Sequence, residues 1–290
     1  MKLYNLGSVN VDCVYAVEHI VTAGETLSSA DKQIFPGGKG LNQSVALARA
    51  GAKVLHGTLI GNDGAFLMER MAASGVEVSR IKRVDGSCGQ AIIQVDRHGQ
   101  NSILLYPGTN HRIDRQYAEE FLVDAEAGDL LLLQNEISAL GDIFAVAAEK
   151  RLPIAFNPSP FAESLRRLPL QLVQWWFCNE LEGAALFGSA DPKQMGEAFL
   201  RMYPDSHLIL TLGADGSLFV SREQTFFQPT YPTQAVDTTA AGDTFTGYFL
   251  AAILQGKSCA YAMERAAKAA SVTVSRKGAS DSIPYARELD

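Results

Sequence analysis

Apolar positions recur along this chain with two periods. Short stretches rich in apolar residues at 3–8, 54–60, 130–134, 154–156, 175–178 and 208–212 read as strands, that at 130–134 a continuous apolar run. A strand covered on both faces has no polar side to show, so the run at 130–134 predicts one inside a parallel sheet. The segments between have helical spacing. Residues 41–50 are amphipathic and stop at Gly51, and 65–74 end before Gly75, a residue suited to the left-handed turn that closes a helix. After Asp243, the residues Phe245, Tyr248, Phe249, Ala252 and Ile253 fall at i, i+3, i+4, i+7 and i+8, the stripe of a helix packed on a core. Strands alternating with helices predict a layered α/β fold around a mainly parallel sheet. Two stretches break this rhythm. Residues 26–35 are strand-like, and 91–96 and 102–106 flank Arg97-His98-Gly99-Gln100 as a hairpin. They read as antiparallel strands inserted into the core fold, too few to bury a core of their own. A small lid over a cleft and an ordinary edge hairpin fit that pattern equally.

Composition narrows the picture. Of 290 residues, 47% are hydrophobic, enough for a sizeable core, and no repeat or linker divides the chain. A single domain over residues 1–290 is expected. No apolar run approaches the roughly 18–20 residues of a membrane span, so no membrane role is expected. The first twelve residues, with one Lys and no apolar leader core, do not resemble a signal peptide. Cys13, Cys88, Cys178 and Cys259 stand apart with no C-x-x-C pair, which fits free thiols in a reducing compartment, hence the cytoplasm. The formal net charge of −7, with no basic tract, argues against nucleic acid. An anionic ligand would need positive potential built locally from backbone N–H groups, one or two cations and bound metal.

Several strand exits carry residues suited to chemistry. In open α/β sheets the carboxyl ends of strands face the ligand crevice. Gly7–Asp12 reads GSVNVD, and Asn10 and Asp12, two apart in extended chain, share a side, where amide and carboxylate suit sugar hydroxyls; an Asx turn is the plainer reading. PGGKGLNQ at 36–43 opens a helix, with Gly37, Gly38 and Gly40 permitting close backbone approach and Lys39 and Asn42 projecting from the turn. It is neither a Walker A loop nor a dinucleotide fingerprint. Glu136 follows 130–134, and Asn179 and Glu182 follow 175–178 as N-x-x-E. Acids at a helix start complement its dipole without further function; alternatively they organise Mg²⁺ through water. Thr211, Gly213 and Gly216 form another exit with room for a nucleotide.

The segment VDTTAAGDTFTGYF, 236–249, poses a sharper question. Thr238 or Thr239 is expected to cap the following helix, with residues 240–243 as its first turn, where N–H groups lack partners. A dipole-complementing acid explains Asp243 but not the bare Ala240-Ala241-Gly242 before it. A pure anion site would avoid a carboxylate. Both features fit a reacting anion: the acid takes a proton from an attacking hydroxyl while the N–H groups hold charge on the transferred phosphoryl.

GGKGLN and DTTAAGDTFTGYF resemble the two signatures of the PfkB carbohydrate kinase family. The likeness runs almost end to end, through GSVNVD, LIGNDG, FNPSP, N-x-x-E, TLGADG and VTVSRKGASDS. It implies a three-layer αβα sandwich with a mainly parallel central sheet and a small β-sheet lid, here from insertions at about 12–36 and 88–106. By the same resemblance Asp243 is the catalytic base, and Ala240, Ala241 and Gly242 form the anion hole. Asn10, Asp12, Gly38, Lys39, Asn42 and Glu136, with Asp243, hold the sugar. Asn179, Thr211, Gly213 and Gly216 meet ATP, and Glu182 organises Mg²⁺ through water. Asp237, Thr239, Thr273, Gly278 and Ser282 match a monovalent-cation site, usually for K⁺, several of them through carbonyls. The chain ends soon after Pro284, so the last helix of many members is expected to be short or missing, and no distinctive adenine signature surrounds Ala267.

GSVNVD in place of N-P-x-x-D implies a free sugar rather than a phosphosugar, and Asn10 favours ribose over deoxyribose, since an unpaired buried amide discriminates against a missing hydroxyl. Phosphorylation at O5 of D-ribose is the leading expectation; other free sugars (deoxyribose, fructose), nucleosides, or a silent sugar-binding protein on the same fold are the alternatives. A homodimer through the lid is the partner implied beyond sugar and ATP.

Overall fold

The computed structural model describes residues 1–289. The chain runs β1 (Leu3–Leu6), β2 (Asn10–Ala16), β3 (Asp31–Gly37), α1 (Lys39–Arg49), β4 (Val54–Gly57), β5 (Leu59–Ile60), α2 (Ala65–Ala73), β6 (Lys82–Arg83), β7 (Gly89–Val95), β8 (Asn101–Tyr106), α3 (Arg115–Phe121), β9 (Leu130–Gln134) and α4 (Leu140–Glu149). It continues through β10 (Ile154–Asn157), β11 (Val173–Asn179), α5 (Glu180–Phe187), α6 (Pro192–Met202), β12 (His207–Thr211), β13 (Ser217–Val220), β14 (Thr225–Gln228), α7 (Ala241–Leu254) and α8 (Cys259–Val274), with a short 3₁₀ turn at Ala286–Glu288 near the end.

The main sheet has eight strands in the order β14-β13-β12-β11-β10-β9-β1-β4. All its pairs are parallel except β12–β13 and β13–β14. Strand period explains the three layers. Along β9, Leu130 and Leu132 belong to the buried cluster that holds Val45, Phe249 and Ala266 of α1, α7 and α8, while Leu131 and Leu133 belong to the one that holds Phe121, Phe144 and Phe199 of α3, α4 and α6. A strand apolar on both sides is thus buried on both sides, and the αβα sandwich follows.

A second sheet, β3-β2-β7-β8, stands off the core as the lid. Its strands were expected to be antiparallel throughout. In fact β2 pairs antiparallel with β3 but parallel with β7, because the core strand β4 and helices α1 and α2 intervene and the chain re-enters the lid in the direction of β2. The first lid strands also sit differently from expectation: Asn10 and Asp12 begin a strand rather than an Asx turn, and residues 26–30 lie outside β3. The single strand read at 54–60 divides at Thr58, with β4 in the main sheet and β5 pairing β6 in a separate two-stranded ribbon. The edge hairpin β13–β14 was not expected.

Candidate active site

Because the core strands run parallel, β1, β9, β10, β11 and β12 all release their chains at one sheet edge, so Ser8, Glu136, Asn157, Asn179 and Thr211 come to one side. A cleft of about 670 Å³ opens there. Lys39, Asn179, Glu182, Thr211, Gly213, Gly216, Ala240, Ala241, Gly242 and Asp243 line it. Asn157, Phe177 and Ala267 line it too. Asn10, Asp12, Gly38, Asn42 and Glu136 do not; they lie past Lys39 and Asp243, towards the lid strands.

Helix α1 starts abruptly at Gly38, whose φ of +93° is readily reached only without a side chain. Ser8 anchors the turn: its carbonyl accepts from Leu41 N at 2.9 Å, and its hydroxyl accepts from Gly40 N at 3.2 Å and donates to Glu136 Oε2 at 2.5 Å. Glu136 Oε2 also accepts from Lys39 N at 3.0 Å. Glu136 therefore holds the glycine turn from the lid side of Lys39. Asp12 lies over Gly37, where a Cβ would sit 2.0 Å from its carboxylate. Burial, and then the charge of Glu136, push the Asp12 carboxyl up to about 7. Burial alone would lower the Lys39 ammonium, but the carboxylates of Asp243, Glu136 and Glu182 outweigh it and raise it, so the lysine stays charged.

Asp243 is buried at 7% exposure, in the first turn of α7. Asn42 Nδ2 donates to its Oδ2 at 3.0 Å and Gln43 Nε2 to its Oδ1 at 2.9 Å. The expected cap by Thr238 or Thr239 does not form. Ala240 is the N-cap, left-handed at φ 61°, with no side-chain cap, and the first i→i−4 bond runs from Thr244 N to Ala240 O at 2.8 Å. No side chain caps this helix start; Ala241 N donates to Thr238 O at 3.3 Å, and the N–H groups of Gly242 and Asp243 are left available to an anion. A Cβ on Gly242 would meet no atom within 4 Å, so protein packing does not demand glycine there, whereas a ligand pressed against that backbone would. Asp12 Oδ1 and Asn42 Oδ1 are buried without a partner, acceptors set for hydroxyl donors.

Asn179 and Glu182 form a capping box on α5, each accepting the other's backbone N–H at 2.9 Å. The pair thus starts the helix, as the first reading of N-x-x-E expects, and also lines the cleft. Among the described residues no group of three or more His, Cys, Asp or Glu side chains could cage a metal. That donor set suits a Mg²⁺ that arrives with phosphates and keeps its waters.

Residues 229–240, between β14 and α7, are irregular and run along the cleft. They are fastened by Thr230 Oγ1 donating to Ala214 O, by Val236 and Asp237 N donating to Val274 O, and by Asp237. Asp237 accepts from Thr239 N at 2.9 Å and Gly278 N at 3.0 Å. Burial would raise its carboxyl, but those bonds and Lys277 hold it below the usual carboxylate range. Of the five expected cation residues, Asp237, Thr239 and Gly278 are thus joined directly. Thr273 bonds Thr244 and Ala269 O, and Ser282 donates to Ala279 O. An ionised carboxylate among carbonyls and hydroxyls is a hard oxygen set of the kind K⁺ accepts.

Sequence reasoning missed three buried amides. Asn110 accepts from Val9 N at 3.1 Å and donates to Asn10 Oδ1 at 2.8 Å, fixing which way Asn10 points. Gln43 and Gln134 were seen only as members of GGKGLNQ and of a strand. Nothing in local pattern marks them, since their partners lie far away in sequence.

A buried acid beside unengaged helix N–H groups suits transfer of an anionic group to a hydroxyl. The fold and cleft thus define an α/β phosphotransferase with a lidded pocket for a small polar acceptor. Residues 2–286 match the model of the pfkB family carbohydrate kinases, and the chain belongs to that family. It is 36% identical to the ribokinase of Haemophilus influenzae, over 98% of this chain and 95% of that one. Among solved structures it is similar to the ribokinase of Cryptococcus neoformans in complex with ADP, with a TM-score of 0.86 and 31% identity over 99% of this chain and 98% of that one. The Arabidopsis thaliana ribokinase complexed with ribose and ATP also has a TM-score of 0.86, at 27% identity, over 99% and 97% of the two chains.

Proposed function

We propose that this protein transfers the γ-phosphoryl group of ATP to O5 of D-ribose, with Asp243 as the base. The observation that carries the reading is the Asp243 carboxylate, held by two amide donors at an uncapped helix start that lines the cleft. Asp243 takes the proton of the O5 hydroxyl. The O5–P bond forms as the bond from Pγ to the bridging oxygen breaks, and that electron pair leaves on the β-phosphate of ADP. The anion hole of Ala240, Ala241 and Gly242, in which the Gly242 N–H faces no protein acceptor, holds the charge on the transferred group, and the Lys39 ammonium adds to it. Asn10, Asp12, Asn42 and Glu136 hold the sugar, with Gly38 allowing its approach, and Thr211, Gly213, Gly216 and Asn179 border the nucleotide. When bound, Mg²⁺ beside Glu182 would neutralise phosphate charge, and K⁺ beside Asp237, Thr239, Thr273, Gly278 and Ser282 would reinforce the potential behind the anion hole.

Ribose is preferred over deoxyribose because Asn10 is fixed by Asn110, and a sugar lacking a hydroxyl would leave a fixed polar group unpaired. The chain acts as one kinase domain over 1–290, with the lid from insertions at about 12–36 and 88–106. Four free cysteines support a cytoplasmic setting, and no helix among the described residues is long and apolar enough to cross a membrane. The lid exposes Ile34, Ile103, Leu104, Leu105 and Tyr106, each more than half exposed, which favours a homodimer through that sheet. A sedimenting monomer at micromolar concentration would count against it.

The test is ADP release with ATP and Mg²⁺, with and without K⁺, over a panel of sugars and nucleosides. Turnover is expected on ribose, faster with K⁺, and Asp243→Asn is expected to lower kcat by about 10²–10⁴-fold while the sugar still binds. Turnover on another panel member alone would sink the ribose assignment and keep the kinase. No ADP release from the unaltered protein on any acceptor would leave a binding protein.

A further inference from the structure

Asp243 is the end of a chain of buried amides that the reaction as described does not use. Gln43 Nε2 donates to Asp243 Oδ1, and Gln43 Oε1 accepts from Gln134 Nε2 at 2.7 Å. Gln134 Nε2 also donates to Asn5 Oδ1 at 3.0 Å. Asn5 Nδ2 donates at 2.8 Å to both Gly40 O and Ser44 Oγ, and Ser44 meets His56 Nδ1 at 2.8 Å. Gln43, Gln134, Asn5, Ser44 and His56 are all fully buried.

Hydrogen-bond polarity makes this chain more than packing. Its two ends, the Gly40 carbonyl and the Asp243 carboxylate, can only accept. The backbone carbonyl forces Asn5 to turn its NH₂ towards Gly40, which leaves Asn5 Oδ1 as an acceptor. Gln134 must then donate to it. A row of amides pointing one way cannot end on an acceptor at both sides, so one member has to donate in both directions. Gln134 does so with a single NH₂, and its Oε1 is left buried with no partner. Room for that oxygen comes from Gly7, where a Cβ would lie 2.3 Å from it. An unsatisfied buried oxygen is costly, yet the arrangement fixes Gln43 with its oxygen occupied and its NH₂ aimed at Asp243.

We propose that Gln43 and Gln134 are positioning residues for the catalytic base, their amide polarity matched to the Gly40 carbonyl at one end so that a donor faces Asp243 Oδ1 at the other. This rests on the reading of Asp243 as base. A donor there favours the ionised carboxylate and fixes its rotation, so that Oδ2 keeps its orientation between Asn42 and the sugar hydroxyl. Gln43 Nε2 also donates to Asn157 Oδ1 at 3.2 Å, and Asn157 is itself oriented by its Nδ2 donating to Phe177 O at 2.7 Å, so without the Gln134 donor Gln43 keeps two acceptors for its NH₂ but loses the bond that holds its oxygen.

The test uses Gln43→Met and Gln134→Met, which keep volume and remove the amides, in the ADP-release assay with whichever sugar is turned over. Gln43→Met is expected to lower kcat about 10- to 100-fold, the value of a hydrogen bond to a charged group, with sugar and ATP KM unchanged. The acid limb of the kcat–pH profile moves to higher pH, because loss of a donor favours the protonated carboxyl. Gln134→Met, which touches neither substrate nor Asp243, shifts kcat and the acid limb in the same direction by a smaller amount. The double variant is no worse in kcat than Gln43→Met alone, since both act through one bond. Melting curves report folding, and if Gln43→Met does not fold, the acid limb of Gln134→Met decides. An unmoved acid limb in folded variants, or additive losses in the double variant, overturns the proposal. Asp243→Asn in the same assay separates the two levels. If it loses turnover while Gln43→Met keeps kcat, only the relay falls; if it keeps turnover, the base assignment and the relay fall together.

Discussion

Asp12 sits among lid residues with a carboxyl that burial and Glu136 push up to about 7, and one of its oxygens has no protein partner. Sugar hydroxyls that donate to it favour the ionised form, so below pH 7 binding must displace a proton. Sugar KM is therefore expected to fall as pH rises through about 7 and then level off, and Asp12→Asn should give a higher, flat KM. The sign for folding is the opposite. A carboxyl raised in the folded state stabilises it below the unfolded value, and that contribution is lost as pH rises through about 7. Kinetics either side of pH 7 check the first statement, and a KM that ignores pH refutes it. Asp243 was legible in sequence because a bare small-residue turn before an acid has few structural uses. Gln43, Gln134 and Asn110 were not, because a buried amide is defined by partners such as Asp243, 200 residues from Gln43, and no local period encodes that pairing.

At the scale of elements, the two glycine turns differ in why they need glycine. A Cβ on Gly40 would strike the Ser8 and Gly7 backbone at 2.5 and 2.6 Å, whereas one on Gly242 points into open space. Gly40→Ala should destabilise the fold by about 1–3 kcal/mol, as overpacking does. Gly242→Ala should leave stability within about 0.5 kcal/mol while lowering kcat about 10- to 100-fold by crowding the transferred phosphoryl. Urea melts beside steady-state rates separate the two. Equal stability losses would mean that α7 begins tightly for structural reasons. The helix itself was readable from Phe245 onward, but its cap was not. The threonines promised a side-chain oxygen; the structure instead makes a left-handed Ala240 the cap, Thr238 gives only its carbonyl to Ala241 N, and the N–H groups of Gly242 and Asp243 stay open to the cleft. The lid hairpin was readable from the turn at 97–100, while the parallel pairing of β2 with β7 depends on distant chain and was not.

On the scale of the molecule, the parallel sheet gathers every exit to one edge and leaves the opposite demand to the core, where polar groups must stay neutral or paired. His56 is fully buried, and burial lowers its imidazole to about 3. A depressed histidine contributes stability that is complete above its unfolded value near 6.5 and is lost as pH falls towards 3. At pH 5 the loss from this residue is about 2 kcal/mol, and His56→Gln should show a shallower decline in urea midpoint between pH 7 and pH 5. A decline as steep as that of the unaltered protein would remove His56 as its source. The layered α/β class with a mainly parallel sheet was legible because apolar strands alternate with one-sided helices, whereas the three-layer sandwich with its lid came from the family resemblance. The β13–β14 hairpin was not, being short and at a sheet edge where pattern is weak.

The irregular segment at 229–240 has a practical consequence. It joins the last strand of the sheet to the helix bearing Asp243, borders the cleft, and is fastened by a handful of bonds, Asp237 foremost. Chain without ladder or helix bonds opens at little cost, so a protease should nick the empty enzyme there first. A single cut would give two fragments that stay together through α7 and α8 while activity vanishes. ATP analogues and K⁺ should each slow the nick, the first by covering the segment and the second by tightening its Asp237 anchor. Cleavage mapped by mass spectrometry to any other place would mean that this stretch is not the least protected part of the chain, and indifference to both additions would mean that neither ligand sits against it.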